Sequence, residues 1–483
     1  MNCCRFSFSS LAAALLLALS PIGAAVNDPR LIDAVKASDS SAVKSLLAQK
    51  VDPNAAQADG TMPLHWAAHF DQLESARNLV AAGANVKAAN RYGVTPLSLA
   101  CTNGSGAMVK LLLDAGADPN AALPGGETVL MTAARTGKLE AVQALIAKGA
   151  DVHAKESRRG QTALMWAAAE GNTEVVKALI AAKAEFEGRL ESGLTPLMIS
   201  VREGKTGTAL ALIEAGADIN EAVEPSPSAK RVPGGPRTGV TSLQIAVANA
   251  HYELAAKLLD LGADPNAIGP GYTALHIVSW VRKPGGGDND PAPDGSGNMT
   301  SLEFVRKLVA KGANINARMT KKVNVGLTSL NTIGATPFVL AARTGDAELM
   351  RELAKLGADP LIPTEDKSTA LIVAAGLGTR SPGEDAGTES EVMEAVQVAL
   401  DLGVDINAVD NNGETAMHGA AYKNLPGVVL LLAERGAKME VWNQKNKFGW
   451  TPLRIAEGYR FGNYKPSPTT IAAFQKIMKS GSN

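Results

Sequence analysis

A single short motif constrains this chain more than any bulk property. Tetrapeptides of the type Thr-Pro-Leu-x or Thr-Ala-Leu-x begin at Met62, Thr95, Thr128, Thr162, Thr195, Thr241, Thr273, Thr336, Thr369, Thr415 and Thr451. The first five stand 33 or 34 residues apart, and most later steps are near 33 or near 33 plus an insertion. Self-similarity at that period belongs to repeat architectures, in which one small unit cannot bury its apolar face alone and stacks on its neighbours. The chain's 483 residues therefore give no count of globular domains. A composition 46% hydrophobic but only 4% aromatic suits many thin layers of Ala, Leu, Val and Ile.

The chemistry inside one unit explains its length. Thr is a good helix N-cap, and Pro suits the first helical turn, where an N–H would lack a partner in any case. A helix is therefore expected to start at each tetrapeptide. About 21 residues on, Gly83, Gly116, Gly149, Gly216 and Gly262 follow apolar runs of helical period and can close a second helix in the left-handed conformation. A polar extended segment such as Ala117 to Ala121 then leads to the next Thr.

Thr-Pro-Leu-His with Gly-Ala-Asp-x-Asn-Ala at a period of 33 resembles the ankyrin repeat, and the resemblance runs through essentially all of the chain after its first 25 residues. It implies an all-α repeat solenoid: stacked helix-turn-helix units with β-hairpin loops projecting as fingers, and first helices lining a concave groove. Residues 26–60 fit an N-terminal capping repeat, 61–222 regular repeats, 223–450 repeats with four insertions, and 451–483 a C-terminal capping repeat with a last helix near Thr470 to Lys479. Met62 lacks the capping hydroxyl, and Lys183 stands where Gly usually closes the second helix. The insertions fall at about 224–238, 284–298, 320–330 and 378–389. The first and third lengthen fingers, and the second and fourth lengthen the turn between paired helices on the opposite rim, so that they could fence the groove from both sides.

Residues 1–25 have the layout of a cleaved export signal: a positive charge at Arg5, an apolar run from Leu11 to Leu19, and a small-residue exit from Pro21 to Ala25. The run is well short of the ~20 residues that span a bilayer, so a periplasmic or secreted protein with no stable membrane anchor is expected. Cys3 and Cys4 would leave with the signal, and Cys101 alone can form no internal disulfide. The formal net charge of -1 at pH 7 gives no long-range attraction for phosphate backbones, so nucleic acid is not an expected partner.

No nucleophile, metal or phosphate motif survives inspection, and no catalytic residue, metal or cofactor is expected. Gly204-Lys205-Thr206 resembles the end of a phosphate loop, but Ile199 fills the place of its leading glycine. Asp288, Asp290 and Asp294 resemble a calcium loop whose alternation fails at Ala292. His65, His276 and His418 each end a tetrapeptide, where the resemblance implies structural hydrogen bonds. Binding surface is the better use of the remaining residues. Seven positions after each repeat's first residue lie His69, Arg135, Arg202, Trp280, Arg343 and Tyr422, and finger positions add Arg91, Tyr92, Arg158, Arg159, Tyr272, Phe448 and Trp450. Aromatics and Arg are frequent interface anchors. The expectation is a monomeric, non-catalytic scaffold that binds another protein by groove and fingers, with contact concentrated from Thr241 to Thr451. The alternative is an enzyme or small-ligand-binding protein whose site the insertions build.

Overall fold

The computed structural model describes residues 28–226, 237–284, 292–324, 326, 328–462 and 464–480. The expected export signal, the middle of the first two insertions, and Asp288 and Asp290 of the calcium-like loop lie outside these residues. Among the described residues, cross-strand pairing is confined to isolated bridges at Ala122 with Thr128, Ala222 with Thr241 and Thr328 with Thr379. The expected β-hairpins are thus hairpin turns without strands. A typical finger is closed by Asn90 N donating to Val94 O (3.0 Å) and Gly93 N to Asn90 O (2.9 Å), too few bonds for a ladder.

The chain forms two compact units, one of residues 28–218 with 224–226, the other of 219–223 with 237–480. The first holds six helix pairs, from Arg30–Lys36 with Ser40–Ala48 to Pro196–Arg202 with Thr206–Glu214. The second begins with Ser242–Ala248 and Tyr252–Asp260 and ends with Pro452–Ala456 and Pro468–Ser480. Within each unit first helices pack on first helices and second on second. Leu97, Ala100, Met108 and Leu112 are sealed between neighbouring pairs, each large aliphatic side chain contributing about 2 kcal/mol of burial.

Local chemistry sets the pairs as the motif requires. Thr95 Oγ1 accepts from Ser98 N at 3.1 Å, and Thr128, Thr162, Thr195, Thr241, Thr336, Thr369 and Thr451 cap their helices in the same way. At Met62 the His65 ring compensates: Met62 N donates to Nδ1 at 3.1 Å, while Nε2 meets Val94 O of the next finger at 3.1 Å. His276 does the same with Thr273 N and Ala335 O. Accepting at Nδ1 and donating at Nε2 requires the neutral ring. Burial accordingly pushes His276 and His418 down to about 4.

Gly116 ends its second helix at φ +93°, and Lys183 is held at φ +70° in the equivalent place, a conformation that disfavours any side chain with a Cβ. A further device ties successive repeats. Asn266 Nδ2 donates to Gly312 O (2.9 Å) while its Oδ1 accepts from Asn314 N (2.7 Å). Asn54, Asn120 and Asn220 make the same pair of bonds. The Asn of each Ala-Asp-x-Asn-Ala segment is therefore an inter-repeat clasp.

Candidate protein-interaction surface

The candidate residues divide sharply by the repeat that carries them. In the first unit they are displayed. His69 is exposed and edges against Trp66 and Phe70, with ring centroids 5.9 and 4.9 Å away. Trp66 and Phe70 themselves stack at 5.7 Å, and Lys36 Nζ lies 4.2 Å from the Trp66 ring. On the fingers, Arg91 and Tyr92 are exposed, with the guanidinium 4.8 Å from the phenol ring. Arg158 and Arg159 are exposed, their backbone amides fixed by the buried carboxylate of Glu156 at 2.6 and 2.7 Å. Arg135 is half-buried over the Trp166 ring at 5.0 Å, and Arg202 is half-buried beside Glu203.

In the second unit the expectation fails at three positions; an insertion explains Arg343, and Tyr272 stands just before its cap residue, a place that is also buried at Thr61 and Leu194. Tyr272 is buried, edge-on to the half-buried Trp280 (5.2 Å) and beneath Arg237, a residue of the first insertion. Arg343 is 6% exposed and pairs at 2.5 Å with Asp385 of the fourth insertion. Tyr422 is 4% exposed and its hydroxyl bonds Glu414 at 3.1 Å, while Asn446 donates to both. Neither Arg343 nor Tyr422 can serve as a groove anchor. Of the expected anchors, Phe448, exposed, and Trp450, half-buried, present rings at the far end of this unit.

The groove of the second unit is occupied by the chain itself. Insertions three and four, from opposite rims, join there: Thr328 bridges Thr379, and Ser329 N donates to Gly378 O at 2.9 Å. The loop after Pro452–Ala456 adds a second crossing. Arg460, 1% exposed, donates to the carbonyls of Ala421 (3.2 Å), Tyr422 (2.8 Å) and Lys465 (3.1 Å) and to Asn424 Oδ1 (2.9 Å). Two residues on, a side chain at Gly462 would collide with the carbonyl of Arg380. Phe461 packs on Phe448 and Trp450 at 5.0 and 5.2 Å.

The insertions do gather titratable groups, but as packed pairs. Beside Arg343 and Asp385, Lys423 donates to Ala386 O, and burial pushes its ammonium down to about 8. The Lys283 ammonium, 2.6 Å from Glu391, joins Thr388 N in holding that carboxylate down at about 2. A depression of about 420 Å³ beside the second insertion is lined in part by Tyr252, Arg282 and Asp294. Arg282 within it is held by Asp346 (2.7 Å), Glu348 (2.7 Å) and Ser301. Cys101 is fully buried, which pushes its thiol up to about 12. Among the described residues no group of His, Cys, Asp and Glu is arranged to hold a metal. No described helix is long and apolar enough to cross a membrane.

Family models for ankyrin repeats match residues 31–122 and 125–223 (three copies), 238–269 (one repeat) and 394–456 (many copies), together more than half of the chain. The chain belongs to the ankyrin-repeat family. Among similar ankyrin-type sequences, Protein PhlB of Serratia liquefaciens is 37% identical over 143 residues, 29% of this chain and 50% of PhlB. The B-cell lymphoma 3 protein homolog of mouse is 31% identical over 221 residues, 46% of this chain and 40% of the relative. Chicken inversin is 34% identical over 125 residues, 24% of this chain and 10% of inversin. The chain thus spans half or less of the length of these relatives. Ankyrin repeats are protein-interaction modules and are in general non-catalytic.

Two features escaped the sequence reading. Trp66 stands three residues before His69 and four before Phe70, the i+3 and i+4 spacings that share a helical face, a signal visible in Trp66-Ala-Ala-His69-Phe70. Arg460 had no such signal, because three of the four acceptors named above lie 36 to 39 residues back in the chain.

Proposed function

We propose that this ankyrin-repeat protein is an exported, monomeric, non-catalytic scaffold that holds a partner protein through the concave face and fingers of its first unit. The observation that carries this is the contrast between the units. At the shared groove position the first uninterrupted repeat displays His69 whereas the interrupted repeats bury Arg343 and Tyr422, and the fingers of the uninterrupted repeats display Arg91, Tyr92, Arg158 and Arg159. Rigid helices carrying exposed rings and guanidinium groups supply anchors at low ordering cost. Export rests on the layout of residues 1–25 and accords with stability drawn from packing, since Cys101 has no partner for a disulfide.

The test is a pull-down of the exported full chain from its native compartment, repeated with a His69→Ala, Arg91→Ala, Tyr92→Ala variant. A partner lost by the variant while its circular dichroism is unchanged supports the first-unit surface. Recovery of the same partner in undiminished yield removes it. Retention of residues 1–25 on the cytoplasmic chain, read by N-terminal sequencing after fractionation, would overturn the export half separately.

A further inference from the structure

The last finger and the segment after it differ from the rest of the chain in charge and in ring content. After Trp442 there are seven Lys and Arg but one acid, Glu457, whereas the preceding residues carry 40 Lys and Arg against 47 Asp and Glu. Six of the chain's twenty Phe, Trp and Tyr lie in the same stretch. Phe448 (43%), Tyr459 (48%), Phe461 (48%) and Tyr464 (71%) make up four of the ten large apolar side chains that the described structure leaves exposed.

These rings are organised. Phe448, Trp450 and Phe461 form a mutually packed triad with centroids 5.0 to 5.2 Å apart, two rings from the finger and one from the crossing loop, with Phe448 and Phe461 still half open to solvent. Lys447 Nζ stands 5.1 Å from the Phe448 ring, its hydrogen-bond acceptor, Asn412 Oδ1 at 2.5 Å, is neutral, and no carboxylate among the described residues forms an ion pair with it. Lys445 lies exposed at the base of the same finger. Two acids stand near this finger, Asp366, which Asn412 contacts at 3.5 Å, and the buried Glu414, whose carboxyl Lys447 also influences. Exposed aromatic platforms rimmed by uncompensated cations bind segments that bring both an apolar side chain and negative charge.

We propose that the Phe448–Trp450–Phe461 triad with Lys445 and Lys447 is a docking site for an acidic protein segment, one that seats an apolar side chain on the rings and its carboxylates on the ammonium groups. The charge is local: about 8 Å of screening length at physiological salt confines the attraction to this end of the stack. A short acidic segment fits that footprint. An extended anionic bilayer would also face the excess acids of the preceding residues. The proposal rests on the reading of the protein as an interaction scaffold but not on which partner the first unit holds.

The test uses the whole chain and a defined probe, a fluorescein-labelled peptide Glu-Glu-Phe-Glu-Glu-Leu-Glu-Glu, followed by anisotropy. Saturable binding is expected, weakened about tenfold or more by Lys445→Gln with Lys447→Gln and by Phe448→Ala with Phe461→Ala, and weakened by raising the salt. The Lys pair changes only exposed side chains, so it remains informative if the Phe pair loosens the finger, which its melting curve would reveal. A peptide with Lys in place of Glu is expected not to bind. The proposal is overturned if the acidic peptide does not bind, if the Lys peptide binds equally, or if the Lys pair leaves affinity unchanged. It is also overturned if the chain sediments with phosphatidylglycerol vesicles while ignoring the peptide. The His69, Arg91, Tyr92 variant should bind the peptide as wild type does, which separates failure here from failure of the first-unit surface.

Discussion

Glu414 is the buried group whose ionisation should be most visible in the stability of this protein. Its side chain, in the residue just before the Thr415 cap, is sealed at 4% exposure. One oxygen accepts from Tyr422 and Asn446, and the other, Oε2, has no hydrogen-bond partner. Burial pushes its carboxyl up to about 7 from an ordinary 4.5, with the nearby Asp410 adding to the rise and the bonds from Tyr422 and Asn446 opposing it. The folded state therefore holds this proton more tightly than the unfolded chain. Its contribution to stability is fully present below pH 4.5, falls as pH rises from there to about 7, and is gone above. A shift of that size is worth about 3 kcal/mol in all, most of which falls between pH 5 and pH 8. Glu414→Gln keeps an acceptor for Tyr422 and Asn446 and removes the titration. In urea unfolding followed by Trp fluorescence, the stability of the variant relative to wild type should rise by about 2 to 3 kcal/mol from pH 5 to pH 8. A relative stability that does not change with pH would show that Glu414 is not protonated more readily in the folded chain, and would refute the reasoning.

Arg460→Ala should lower stability by about 3 kcal/mol, because it removes the buried donor to the Tyr422 carbonyl and to Asn424 Oδ1 at a helix end, leaving Ala421 O only its bond from Asn424 N. Hydrogen exchange should show the loss confined to the last two repeats. Asp385→Ala should be worse, about 3 to 5 kcal/mol, since it leaves the Arg343 guanidinium buried without its counter-charge. Asp385→Ala combined with Arg343→Leu should recover much of that loss in thermal melts, and no recovery would mean that the pair does not act as a unit. Lys183→Gly should stabilise by about 1 kcal/mol by relieving the left-handed backbone at φ +70°, read as a rise in urea midpoint.

The sequence alone determined what one repeat can decide for itself. Thr95, Pro96 and Gly116 act on backbone groups within their own unit, so their consequences follow from spacing, and the repeated unit then dictates stacking. His65 and His276 were legible as structural for the same reason, each ring serving its own tetrapeptide and the next finger. Register along the groove was legible too: Arg135, Arg202, Arg343 and Tyr422 do share a position in the repeat. Their exposure was not. Arg343 is buried because Asp385, 42 residues on, folds over it. An insertion has no period, so its path is set by the contacts it finds, here the joining of Thr328 with Thr379 across the groove. The capping and helix-closing residues were therefore readable in a line of sequence, while the open or occupied state of the groove was decided only when distant loops met in the folded chain.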